Sequence, residues 1–170
     1  MLDNFKIYPG NPVLLGNNSL DDDSIGDALQ DIFPMDTDDC IIEFNLYKIH
    51  LQWKYDISII FDDIIILLDH ILSNNYTELI IHWPSDTFRT DWVIKKDNSN
   101  IYIHSQWGNI IGGNVKYLNE NNKLKVNEVK FLHEWNKILK KVICALNSSG
   151  YPDKEEFVHV KCLSRYIDSL

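Results

Sequence analysis

The side chains able to do chemistry are few and scattered. Six histidines (His50, His70, His82, His104, His133 and His159) and three cysteines (Cys40, Cys144 and Cys162) lie far apart in the chain. One grouping falls on extended segments that can neighbour each other: His82, Asp91 and His104. Two imidazoles and a carboxylate on one sheet face would make a metal centre for hydrolysis. No HxH or HExxH spacing accompanies them, so histidines on the solvent side of a sheet are the simpler reading. Glu128-Val129-Lys130 has the ExK form of Mg2+-dependent nuclease sites, but it opens a helix where such a site closes a strand. The glycines from Gly108 to Gly113 are not followed by the GK[ST] of a phosphate-binding loop, and there is no GxSxG elbow. The aspartate-rich run from Asp21 lacks the ligand order, central glycine and closing glutamate of a calcium loop. The cysteines are odd in number and widely spaced. They form neither a disulfide framework nor a CxxC site and read as reduced thiols packed as small hydrophobes. The expectation is therefore a protein that is not an enzyme and holds no metal or cofactor.

Charge is the stronger signal. The chain of 170 residues carries 16 Lys+Arg against 25 Asp+Glu, a formal charge of −9. Residues 7–47 contain nine acids and no Lys or Arg, a charge equal to that of the whole chain, whereas residues 116–170 carry +3. An acidic balance excludes a general phosphate-backbone binder, which needs a basic face, and docking on anionic lipid. An acidic segment without local cations suits a cationic protein partner. The candidate partner-binding residues are Asp21, Asp22, Asp23 and Asp27 around a helix start, and Asp36, Asp38 and Asp39 beyond Pro34. Asp86 joins them in a turn. Two aromatics at strand ends, Trp83 beside Pro84 and Trp107 beside Gly108, are expected as exposed anchors, because rim charges add little affinity without a buried centre.

These residues need elements to hold them. A length of 170 residues fits a single domain, 1–170, and folding should bury roughly 70% of the unfolded chain's surface, enough for a core without staples. Ile25, Ala28, Leu29 and Ile32 predict a short helix capped by Asp22, Asp23 or Ser24 and stopped by Pro34. Cys40–Tyr55 alternates as a strand but changes phase near Leu46-Tyr47, which predicts a bulge or bend. Residues 57–73 are isoleucine-rich, which favours strand, yet their spacing and length predict a helix. Strands follow at Thr77–Trp83, Phe88–Lys96 and Asn100–Trp107, with a short edge strand at Val115–Leu118. Asn127 caps an amphipathic helix whose stripe includes Leu132, Trp135, Leu139 and Val142, ended by Gly150 and Pro152. A last helix runs from Lys154 to Ser169 with Asp153 as its cap. The fold class is α+β: an antiparallel sheet of four to six strands packed with three to four helices. Ile57–Leu72 is too short and too interrupted by aspartate to span a bilayer, and Met1–Lys6 has no signal-peptide core. The expected compartment is the cytoplasm.

The tryptophan-rich segments TELIIHWPSDTFRTDWVI and IYIHSQWG, followed by the helix EVKFLHEWNKILKKVICAL, sit in a small, acidic, cysteine-poor α+β domain. That profile resembles the bacterial immunity proteins that guard against polymorphic toxins, those of contact-dependent growth inhibition in particular. The resemblance implies a cytoplasmic inhibitor that covers the active site or substrate surface of one cognate toxin domain, often a basic nuclease, and that binds neither nucleic acid nor membrane. A non-catalytic adaptor domain is the alternative, and a metal-dependent enzyme built on His82, Asp91 and His104 is a third.

Overall fold

The computed structural model describes residues 4–16, 23–73 and 78–170. The elements run β1 (Phe5–Tyr8), α1 (Ile25–Ile32), β2 (Cys40–Phe44), β3 (Tyr47–Leu51), a π-helical turn (Trp53–Ile57), α2 (Ser58–Leu72), β4 (Glu78–Ser85), β5 (Phe88–Asp97), β6 (Asn100–Ile110), α3 (Val115–Glu120), β7 (Lys123–Asn127), α4 (Glu128–Ser148) and α5 (Glu155–Asp168). The α+β class holds, with the strands divided between two antiparallel sheets, β1-β2-β3 and β4-β5-β6-β7, and with five helices among the described residues.

The phase change at Leu46-Tyr47 has a different cause from the one expected. Phe44 pairs with Tyr47, so Asn45 and Leu46 form a two-residue hairpin turn, with φ of 49° and 70°. Both residues in the left-handed region is the signature of a turn that normally takes Asn-Gly. Leucine in the second position hides it. That conformation costs roughly 1–2 kcal/mol for a residue with a Cβ. Asn45 offsets this by donating from Nδ2 to the carbonyls of Asn121 (2.7 Å) and Lys123 (2.9 Å), which docks the hairpin tip on the α3–β7 connection.

Val115–Leu118 is helical rather than an edge strand. Asn114 caps α3 by accepting from the Tyr117 N–H. The edge strand is β7, five residues further on, paired with the first half of β6. Beyond it, the Asn119 side chain accepts from the Trp107 N–H (2.9 Å) and donates to the Trp107 carbonyl (3.0 Å), standing in for a strand neighbour.

The core is one continuous cluster. Alternation turns Phe88, Thr90, Trp92 and Ile94 of β5 inward, where Trp92 meets Phe5 and Phe44 of the smaller sheet and Trp135 of α4, and Phe131 of α4 packs on Phe5. Asn127 caps α4 as expected, its side chain accepting from the Lys130 N–H, and Leu132, Trp135, Leu139 and Val142 are fully buried. At the far end Gly150, at φ 70°, lets the Tyr151 N–H reach back to the Leu146 carbonyl, a left-handed helix stop. The last helix begins after Lys154 with no side-chain cap, and Asp153 is instead ion-paired with Lys161.

Residues 57–73 are indeed helical. The helix is entered through the π-helical turn, and Asp56 fixes that entry. Its carboxylate is buried and accepts from the Gln52 N–H at 2.8 Å and from the hydroxyls of Ser85 and Thr87. One buried acid thus ties the start of α2 to the β4–β5 turn.

Candidate functional site: an acidic face on the first, second and last helices

Trp83 and Trp107 are not surface anchors. They are 1% and 3% exposed. Both sit on the inward parity of their strands, with Ile81 and Ser85 beside Trp83 and Ile103 and Ser105 beside Trp107. The strands also continue past them, to Ser85 and Ile110, so neither position is a strand end. Trp83 stacks on Trp135 at 5.6 Å and 14° and meets Trp92 edge-on at 5.2 Å. The indole N–H groups of Trp83, Trp92, Trp107 and Trp135 have no hydrogen-bond acceptor among the described residues, a cost their large apolar area outweighs.

The histidine set is split. His82 and Asp91 face each other across β4 and β5, with Nδ1 2.7 Å from Oδ1. His104 is opposite Val93, and its Nε2 is 3.2 Å from the Asn122 amide nitrogen. Among the described residues no three His, Cys, Asp or Glu side chains converge on a point where a metal would sit. The outward neighbours of His82 are Ile80, Pro84, Arg89 and Val93 by register, and none supplies a hydroxyl or thiol that the imidazole could activate. Cys40 is packed in the core, where burial, with the nearby Asp39 charge adding, pushes its thiol far above its ordinary range. Cys144 and Cys162 are exposed rather than packed as expected.

Asp21 and Asp22 lie outside the described residues. The other candidate acids form two groups at the ends of α1. Ser24 caps the helix, accepting from the Asp27 N–H and donating to the Asp27 carboxylate at 2.8 Å. Asp23, Asp27 and Asp31 are spaced by four. They make one exposed stripe opposite the buried Ile25, Ala28, Leu29 and Ile32. About 12 Å away, at 1.5 Å per residue over eight residues, the loop after Pro34 carries Asp36, Asp38 and Asp39. Asp38 accepts from the Asn11 N–H at 3.2 Å, and Asp39 lies 3.3 Å from His50. Gly10, at φ 65°, lets the first loop press on this one. A Cβ there would come within 2.7 Å of the Asp39 carbonyl. Asp86 is exposed but paired with Arg89 at 2.5 Å, and nothing brings it to the α1 acids.

None of Asp23, Asp27, Asp31, Asp36 or Asp38 has a Lys or Arg partner among the described residues. The lysines of the C-terminal third behave differently: Lys116, Lys137, Lys140 and Lys161 each pair with a carboxylate of that same third.

The face also holds apolar residues that sequence reasoning passed over. Beneath the acids, α2 buries Ile60, Phe61, Ile64, Leu67, Leu68 and Ile71 and leaves Ile59 and Ile66 exposed, at 44% and 52%. Asp62 and Asp69 are exposed between and beyond them. The legible signal was a surplus: Ile57–Leu72 contains more isoleucine than one buried stripe can use. Asp69 reaches across to His159 of α5 at 2.8 Å. Between the helices lies a groove of about 200 Å3, lined among others by Phe61, Asp62, Ile66, Glu156 and Val160. It adjoins a second hollow lined by Asp23, Lys154, Glu155, Glu156 and His159. The acids here crowd one another. Desolvation, and then the charge of Asp62, raise the Asp63 pKa, with His82 opposing them.

No helix among the described residues is long and apolar enough to cross a membrane. Comparison with protein-family models, with curated proteins and with solved structures finds no match to this chain.

Proposed function

We propose that the protein is an immunity-type inhibitor that binds and neutralises a cognate basic toxin domain, of nuclease type, in the bacterial cytoplasm. One observation carries this reading. Five exposed aspartates of α1 and its flanking segments have no cationic partner among the described residues, whereas at least four of the nine lysines after residue 115 pair with a nearby carboxylate. Like charges on one surface repel and, without a cation beside them, add little to folding beyond the exposed hydrogen bonds of Asp27 and Asp38. Their use lies in what they meet from outside. A domain that grips phosphates is basic, so an acidic face competes for the same surface and steers encounter. The exposed isoleucines of α2 supply the apolar centre that charge alone lacks.

The test is protection. The toxin domain encoded directly before this gene is expressed with and without the chain, and growth and toxin activity are followed. Restored growth, with activity lost at a one-to-one ratio, is the expected result. Binding that leaves the activity intact would make the chain an adaptor instead, and absence of binding would sink the inhibitor reading.

A further inference from the structure

Resting on that reading, we propose that the groove between α2 and α5 is the anchor site for a cationic amphipathic helix of the partner. One large apolar side chain of that helix enters the groove, and its Lys or Arg side chains lie against the carboxylates around it. The floor is apolar, with buried Phe61 and Val160 beneath the exposed lip of Ile66. Carboxylates stand on both walls, Asp62 on α2 and Glu156 on α5, the latter accepting from the Tyr151 hydroxyl at 3.0 Å, and in the adjoining hollow Asp23, Glu155 and Glu156 outnumber the single lysine, Lys154. His159 is a groove residue as well, and its imidazole is engaged by Asp69.

An apolar groove alone does not select an occupant, but its charge does. The paired acidic walls repel a nucleic acid or an acidic peptide and attract a cationic one. The size sets the mode. About 200 Å3 admits one side chain and not a helix, so the partner lies across the mouth with a single anchor inserted. Ile59 continues the apolar line, seven residues before Ile66. That spacing is about 10 Å along α2 at 1.5 Å per residue and equals the i, i+7 spacing of an amphipathic face.

Two synthetic peptides of equal positive charge decide the matter. One is a helical Leu/Lys amphipath, and the other is a Lys/Gly/Ser chain without helix or apolar face. Each is titrated into protein carrying labelled isoleucine methyls. The amphipath is expected to shift the methyls of Ile25, Ile59, Ile65 and Ile66. It should bind at least about tenfold more tightly than the second peptide, and lose about tenfold on Ile66→Lys. Ile66 is exposed, so that variant should keep the parent melting temperature. Equal binding of the two peptides, or indifference to Ile66→Lys, overturns the anchor. If such binding is still lost on neutralising Asp23, Asp27 and Asp31, the acidic-face reading survives without the groove. Failure of the amphipath to bind at all also overturns the anchor, and the basic-partner reading then stands or falls on the protection assay.

Discussion

The two ends of the chain use charge in opposite ways. In the C-terminal third, ion pairs join elements. Lys140 reaches Asp168 from α4 to α5 at 2.7 Å, and Lys96 of β5 reaches Glu128 at the start of α4 at 2.6 Å. Glu134 and Lys137 form a 2.5 Å pair that also serves the open edge of β1, accepting from the Ile7 N–H at 2.6 Å and donating to the Ile7 carbonyl at 3.2 Å. An unpaired strand edge is a template for unwanted pairing, and here two side chains close it. In the N-terminal quarter, the acids of α1 and the following loop join nothing through Lys or Arg among the described residues. Net charge alone does not separate these cases. Whether a charge is spent inside the fold or held outward can be read only from its partners.

That contrast can be broken by mutation, and the largest effects should fall at the C-terminal end. Leu139→Ala removes a fully buried side chain of α4 and should destabilise by about 2–5 kcal/mol in urea titration. A loss below about 0.5 kcal/mol would mean that α4 is not the core helix. Glu134→Ala should cost about 1.5–3 kcal/mol, since it leaves the Ile7 N–H without its charged acceptor and Lys137 with only the Ile7 carbonyl. A neutral result there would show that the C-terminal pairs are as dispensable as exposed ones.

A smaller effect sharpens the comparison from the acidic side. Asp63 has a raised pKa because burial, and then Asp62, oppose its charge. The folded state therefore holds this proton to higher pH than the unfolded chain does. Stability from this group is present below the ordinary aspartate range and is lost as pH rises through the folded pKa. Asp63→Asn should accordingly raise the melting temperature slightly at pH 7 and leave it unchanged at pH 3. A fall at pH 7 would mean that the Asp63 charge is stabilised, by His82 foremost.

The regular elements were largely legible because periodicity reports burial. The α4 stripe and its Asn127 cap, the β4–β6 meander and the helix at 57–73 all follow from spacing. What escaped had mixed causes. The Asn45-Leu46 turn lacks its usual glycine because Asn121 and Lys123, far along the chain, hold Asn45. Val115–Leu118 has strand-like residues, and its helix follows from the Asn114 cap. Trp83 and Trp107 looked terminal because proline and glycine follow them, yet strand parity had already placed both inside. The acids of the candidate face were visible as composition. Ile59 and Ile66 were not singled out, although both fall off the helical spacing that places Ile60, Phe61, Ile64, Leu67, Leu68 and Ile71 on the buried stripe.

On the proposed reading, the unpaired aspartates act on association and not on folding. Stopped-flow binding of the basic toxin domain, at two ionic strengths, measures this directly on the parent chain, on Asp23/Asp27/Asp31→Asn and on Asp36/Asp38/Asp39→Asn. The predicted result is unfolding free energy within about 0.5 kcal/mol of the parent, with a slower on-rate at low salt and a flatter salt dependence in at least one triple variant. On-rates equal to the parent's at both ionic strengths in both variants would contradict it and leave the acidic quarter as a solvated surface.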